Sequence, residues 1–240
     1  MLLAKMRANG VERAVLVQVI YYRWDNRYTA HVLKSYPDKF MAVCRVNPED
    51  PAAPDHLTYW VKEQGFHGVR LSVDADARGD WCTGPLARPL FQRAAELRVP
   101  VLILTTPPRL RDLAAILERV PDVDMVIDHV ADCSVDRADE VRNLMALARY
   151  PGVYIKIGHI WSNSAESYPW RDTHELVRRI YQAFGAERLM SCTDWPFCNL
   201  KTTYAQTLSA PREEMSFFSN GDRAWVLGKT ALRLWPFPGA

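Results

Sequence analysis

Seven apolar runs of strand length, separated by segments of helical period, constrain this chain more than any other feature it has. They fall at residues 14–20, 40–46, 68–73, 101–105, 125–128, 153–157 and 189–191. None alternates apolar with polar residues, so each reads as a strand covered on both faces, as in a parallel sheet wrapped by helices. The intervening helices show one apolar face each. Leu110, Leu113, Ala114, Leu117 and Val120 line one such face, and Leu176, Val177, Ile180, Tyr181 and Phe184 line another before Gly185 stops the helix. Further helices are expected over 54–64, 85–97, 136–149 and 221–234.

At 240 residues the chain is close to the ~250 typical of an eight-stranded α/β barrel, and no Gly-, Ser- or Pro-rich linker divides it. The expectation is one α/β domain over 1–240, a (β/α)8 TIM-barrel-like fold with seven visible βα units. Seven strands do not close an eight-stranded barrel, and the chain opens on a helix-like segment, residues 2–10. The inference is a missing first strand, through a late reading frame, true loss of the strand, or an open seven-stranded sheet.

Apolar residues make up 48%, charged residues 24%, and the formal net charge is +2, so nothing points to nucleic acid or an acidic membrane as partner. Cys44, Cys82, Cys133, Cys192 and Cys198 form no C-x-x-C pair and follow no secretory leader. Free thiols in a reducing compartment are expected. No run reaches the ~18 apolar residues of a membrane span, so the expected location is cytoplasmic.

In a parallel α/β fold, side chains at the C-terminal ends of the strands converge on one site. Asp194, delivered by the run before Trp195-Pro196, is the first catalytic candidate, because a carboxylate there can take a proton from water or bind a metal; otherwise it caps the following loop. His129 closes the run 125–128 and can ligate a metal or move a proton. Arg70 lies inside an apolar run and must face a carboxylate, a bound anion or the lumen. Lys156 is a second buried cation, there to bind a substrate carboxylate or to neutralise Asp128 or Asp194. His159, Trp195, Tyr22 and Trp24 complete the candidate substrate-binding set, and Trp161 also stands in the loop after Lys156. His31, His56, His67 and His174 fall away from the converging ends and read as surface or packing residues.

Several chemistries lack their signatures. Residues 74–79 begin like a calcium loop, but Arg78 and Pro85 stand where ligands are needed. There is no G-x-G-x-x-G, G-x-x-x-x-G-K-[ST] or G-x-S-x-G. Cys192 lies near Asp194, with nothing in the sequence to place a base beside it.

Tyr21 to Tyr28, Phe66-His67-Gly68-Val69-Arg70-Leu71, Val126-Ile127-Asp128-His129, Val153-Tyr154-Ile155-Lys156, Thr193-Asp194-Trp195-Pro196 and the closing Asp222 to Ala231 together resemble the amidohydrolase-related (amidohydrolase 2) family. The resemblance covers nearly the whole chain. It implies a (β/α)8 barrel that hydrolyses lactones or amides, or decarboxylates or hydrates small acids, often with a divalent metal. Such proteins carry H-x-H on the first strand, a His ending the fifth and another ending the sixth, and an Asp ending the eighth. His129 matches the sixth-strand His and Asp194 the Asp, which makes both metal-ligand candidates for zinc or manganese. Arg70 and Lys156 match positions that serve substrate carboxylate binding or charge balance in the lumen. The chain departs from the pattern in two places: it has no H-x-H, and Leu104 or Thr105 stands where the fifth-strand His would be.

The reading is therefore a hydrolase of a small organic acid, lactone or amide. Asp194 serves as base or proton carrier, His129 polarises or protonates the substrate, and Arg70 and Lys156 anchor a carboxylate, with a divalent metal optional. A decarboxylase of the same family is the alternative. So is a catalytically impaired relative that binds a small acid or a protein, whose unpaired sheet edges would favour a homodimer.

Overall fold

The structure, a computed structural model, describes residues 1–73 and 81–237; the rejected calcium-loop stretch 74–79 lies outside the described residues. Each apolar run becomes a strand: β1 (Ala14–Val17), β2 (Phe40–Val43), β3 (Val69–Ser72), β4 (Val101–Leu104), β5 (Met125–Ile127), β6 (Val153–Lys156) and β7 (Leu189–Met190). Between and after them lie α1 (Leu2–Ala8), α2 (Arg27–Ser35), α3 (Ala53–Lys62), α4 (Ala87–Leu97), α5 (Leu110–Arg119), α6 (Ala138–Ala146), α7 (His174–Phe184), α8 (Tyr204–Ser209), α9 (Asn220–Ala224) and α10 (Thr230–Leu234). The strands are shorter than the apolar runs because the chain leaves the ladder soon after its last pairing. After β1, for example, Gln18 still donates to the Val43 carbonyl at 3.1 Å, and a 3-10 turn, Ile20–Tyr22, then carries the chain outward.

All strand pairs are parallel. β1 pairs with β2, and β3 through β7 pair in sequence order. A parallel bridge between Cys44 and Val69 joins the two sheets, with Cys44 N–H donating to Gly68 O at 2.9 Å and Arg70 N–H to Cys44 O at 2.7 Å. Among the described residues the sheet is not closed, and β1 and β7 are its two ends. This is the seven-unit order expected from the sequence.

Alternate residues of each strand face opposite layers. Val69, Leu71, Val101, Ile103, Met125, Ile127, Val153, Ile155 and Leu189 belong to the large core beneath the helices. Met41, Val43, Leu102, Val126, Tyr154 and Met190 form a second cluster on the concave side, with Trp235 and Phe237 among them. Trp235 is 2% exposed and its indole Nε1 donates to His67 O at 2.9 Å, so the C-terminal segment fills the lumen. The outer edge of β7 is also engaged. Ser191 N–H donates at 2.8 Å to Val226 O, in the π-helical turn Trp225–Lys229 that precedes α10. No helix among the described residues is long and apolar enough to cross a membrane.

Candidate active site

Three consecutive strand ends supply the polar centre. His129 follows β5, His159 follows β6 and Asp194 follows β7, and all three take left-handed backbone, with φ of 53°, 65° and 51°. Val130, Ala131 and Asp132 continue the left-handed run after His129. Such a conformation costs a non-glycine residue on the order of 1–2 kcal/mol, so the surrounding packing must over-determine it. One packing contact is explicit. A Cβ built on Gly158 would lie 2.3 Å from Cys192 Sγ and 2.5 Å from Cys192 O, so only glycine lets the two chains approach here. That approach brings His159, one residue on, against Asp194, two residues past Cys192.

His159 Nδ1 lies 2.6 Å from Asp194 Oδ2, and His129 Nε2 lies 3.9 Å from Asp194 Oδ1. The two imidazole rings are 4.7 Å apart between centroids. Trp161 packs on His159 at 4.3 Å and Phe197 stacks at 6.2 Å on the same ring. Burial pushes the His129 imidazole down to about 4, against the opposing pull of Asp128 and Asp194, so this ring is neutral near pH 7. Cys192 Sγ sits 3.9 Å from His129 Nδ1, but burial raises its thiol to about 12, which leaves little thiolate for nucleophilic work.

Beneath this rim lies a buried ion triad. Asp128, with a fully buried side chain, meets Arg70 Nε at 2.8 Å through Oδ2 and Lys156 Nζ at 2.6 Å through Oδ1. Burial alone would raise the Asp128 carboxyl; Lys156, then Arg70 and His129, outweigh it and hold the group well below the usual carboxylate range.

The structure thus brings His129, Asp194 and His159 together and puts Arg70 and Lys156 on Asp128. The sequence left Lys156 open between Asp128 and Asp194 as partners; Asp128 is the one it meets. Trp195 follows Asp194 and packs against the core. Tyr22 is 57% exposed on its turn, and Trp24 lies under the Arg45 guanidinium at 5.5 Å. Neither makes a hydrogen bond or ring contact with the trio among the described residues. His31 and His56 ride on α2 and α3, His67 precedes β3, and His174 begins α7. What sequence reasoning missed is the place of His159 at the centre of the trio. The signal available was its glycine, since Gly158-His159 directly follows the apolar run that ends at Ile157.

Two imidazoles and a carboxylate, with donor atoms all within 4.8 Å of one another, are the donor type and number that a three-ligand divalent site uses. The set is consistent with such an ion, although the 2.6 Å pairing of His159 with Asp194 is tighter than the about 3.4 Å between two ligands of a tetrahedral ion. The trio and triad are held at the carboxyl ends of parallel strands, which defines an α/β barrel-type protein with a His-His-Asp centre.

A sequence profile of the Amidohydrolase family matches residues 1–237, and the chain belongs to that family. It is 28% identical over 195 residues to an L-fucono-1,5-lactonase of Burkholderia ambifaria, covering 80% of this chain and 67% of that protein. It is 26% identical over 199 residues to a 4-sulfomuconolactone hydrolase of Hydrogenophaga intermedia, covering 80% of this chain and 62% of that protein. The chain therefore spans about two thirds of the length of these relatives. Among solved structures, an amidohydrolase from Burkholderia multivorans with bound zinc superposes with a TM-score of 0.82 at 23% identity, over 99% of this chain and 87% of that one. That likeness shows the shared fold.

Proposed function

We propose that this chain is a hydrolase that opens a small carboxylate-bearing lactone, or cleaves the corresponding amide. The observation that carries the reading is the 2.6 Å contact between His159 Nδ1 and Asp194 Oδ2, with His129 alongside, at the strand ends. Nδ1–H of His159 donates to Oδ2 and fixes the Asp194 carboxylate, leaving Oδ1 to take a proton from an attacking water. The water oxygen bonds to the substrate carbonyl carbon. The neutral His129 imidazole donates from Nε2 to the carbonyl oxygen as negative charge gathers there. The ring C–O bond then breaks, and Asp194 returns its proton to the leaving oxygen, giving a hydroxy acid. A divalent metal, when bound, polarises the carbonyl and makes the water more acidic.

Arg70 and Lys156 are both engaged by Asp128, so in this reading neither grips the substrate alone. Two cations and one carboxylate leave one positive charge under the rim, which draws an anionic substrate inward. The names of the two relatives, a fuconolactonase and a sulfomuconolactone hydrolase, support a lactone substrate.

The test is acid release from a panel of sugar-acid lactones and carboxylated unsaturated lactones, read with a pH indicator. Asp194→Asn should lower kcat/KM by about 1000-fold or more with an unchanged circular dichroism spectrum. If no lactone or amide is turned over, or if the asparagine variant works as well as the parent, the reading is wrong. Carbon dioxide release without ring opening would make the protein a decarboxylase instead.

A further inference from the structure

We infer that His159 is a metal ligand: with His129 and Asp194 it forms a three-ligand site for one divalent zinc or manganese ion, assembled from the ends of β5, β6 and β7. The inference shares its site with the proposed hydrolase and rests on that reading; an ion bound there would supply the polarisation of the carbonyl that the His129 and His159 protons supply or support in the metal-free protein. It departs from the resemblance described above, in which the first strand supplies two histidines and the strand that β4 corresponds to supplies another. This sequence has six histidines and no H-x-H, and its β4 ends at Leu104 with no histidine beside it.

Four observations support it. The donor set is two imidazoles and one carboxylate, the combination that catalytic zinc takes with one position left for water or substrate. The donor atoms already lie within 4.8 Å of one another. All three residues sit in left-handed backbone, which the surrounding structure must hold before any ion arrives. The His159 ring is also held from the side by Trp161 and Phe197, which keeps Nδ1 turned toward Asp194. For an ion to enter, the contact between Nδ1 and Oδ2 must widen by less than about 1 Å, the His129 donor must close in from 3.9 Å, and the Nδ1 proton must leave, as ligation by imidazole requires. Asp194 has the room to yield, since its side chain is 26% exposed.

The competing role for His159 is only to orient the Asp194 carboxylate, and metal binding separates the two. The full chain is stripped with a chelator, dialysed against excess zinc or manganese, and its metal content measured by elemental analysis, with affinity from calorimetry. The expected result is about one ion per chain, with His159→Gln weakening the affinity about 100-fold or more. His31→Gln, changed on α2 away from the site, should bind as the parent does. Less than about 0.1 ion per chain in the parent, or equal affinity in His159→Gln, overturns the inference. Should the glutamine variant fold poorly, X-ray absorption on the zinc-loaded parent decides, because two coordinated imidazoles are required and one or none refutes the site. A chain that takes up no metal yet hydrolyses lactones would end this inference and leave the proposed function standing.

Discussion

Asp128→Asn is the perturbation whose cost the structure sets most sharply. The Asp128 side chain is fully buried and touches Arg70 Nε at 2.8 Å and Lys156 Nζ at 2.6 Å, and those cations are themselves only 10% and 9% exposed. At an effective dielectric of about 20, each contact carries roughly 6 kcal/mol of Coulomb attraction, most of it offset by the cost of desolvating three charges. The amide removes the attraction and leaves that cost, so two cations face each other across a neutral side chain. Breaking a buried pair in this way costs about 3–5 kcal/mol. With a urea m-value of about 2 kcal/mol/M, the unfolding midpoint should fall by about 1.5–2.5 M. The pH dependence supplies a second check. The Asp128 carboxyl is lowered in the folded state, so its contribution is fully present above the ordinary carboxylate pKa and is lost as pH falls toward the folded value. The gap between parent and variant should be constant above about pH 5 and narrow below about pH 4. A triple replacement of Arg70, Asp128 and Lys156 by apolar residues of similar size should recover most of the loss, because it removes the stranded charges. A midpoint for Asp128→Asn within about 0.3 M of the parent would refute the reasoning.

Gly158→Ala puts a Cβ 2.3 Å from Cys192 Sγ and 2.5 Å from the Cys192 carbonyl oxygen, so it should cost about 1–3 kcal/mol of stability and most of the turnover in the proposed lactone assay; the Gly158→Ala, Cys192→Ala double variant should stay impaired in thermal melts and assays, because the backbone clash remains. His129 titrates lower folded than unfolded, so the unfolded chain takes up its proton first and stability should fall as pH drops from about 6.5 toward 4; urea midpoints across that range should show the slope, and His129→Gln should flatten it.

The strands and the helices between them were legible because burial on both faces writes itself as unbroken apolar runs, and an amphipathic face writes itself at helical spacing. His129 and Asp194 were legible for a related reason: a polar residue closing an apolar run has to stand at a strand end. The role of His159 was not legible. Its direction depends on a φ of 65° and on the approach of Gly158 to Cys192, a contact between different strands' ends that no local pattern encodes. For Lys156, burial required a carboxylate partner, but register decided which one. Ile127 pairs with Ile155, so the next residues along, Asp128 and Lys156, lie side by side. Trp235 and Phe237 follow the last expected helix, and their position in the lumen depends on where that helix ends against the sheet.

Adjacent strands lie about 4.8 Å apart, so β5 and β7 are separated by roughly 10 Å at the backbone, yet donors carried by both lie within 4.8 Å. Side chains that lean together from the loops past the strand ends span the difference, and one of those loops leaves β7, at one end of the sheet. β7 is two residues long and pairs with β6 through Leu189 and Met190 alone, and Asp194 hangs four residues beyond it. On its inner side Ile157 N–H donates to Met190 O at 2.9 Å, and on its outer edge Ser191 N–H donates to Val226 O at 2.8 Å. That carbonyl belongs to the π-helical turn between α9 and α10. The C-terminal helices therefore bear on the candidate site at a distance: they bond to the end of the edge strand that leads to Asp194.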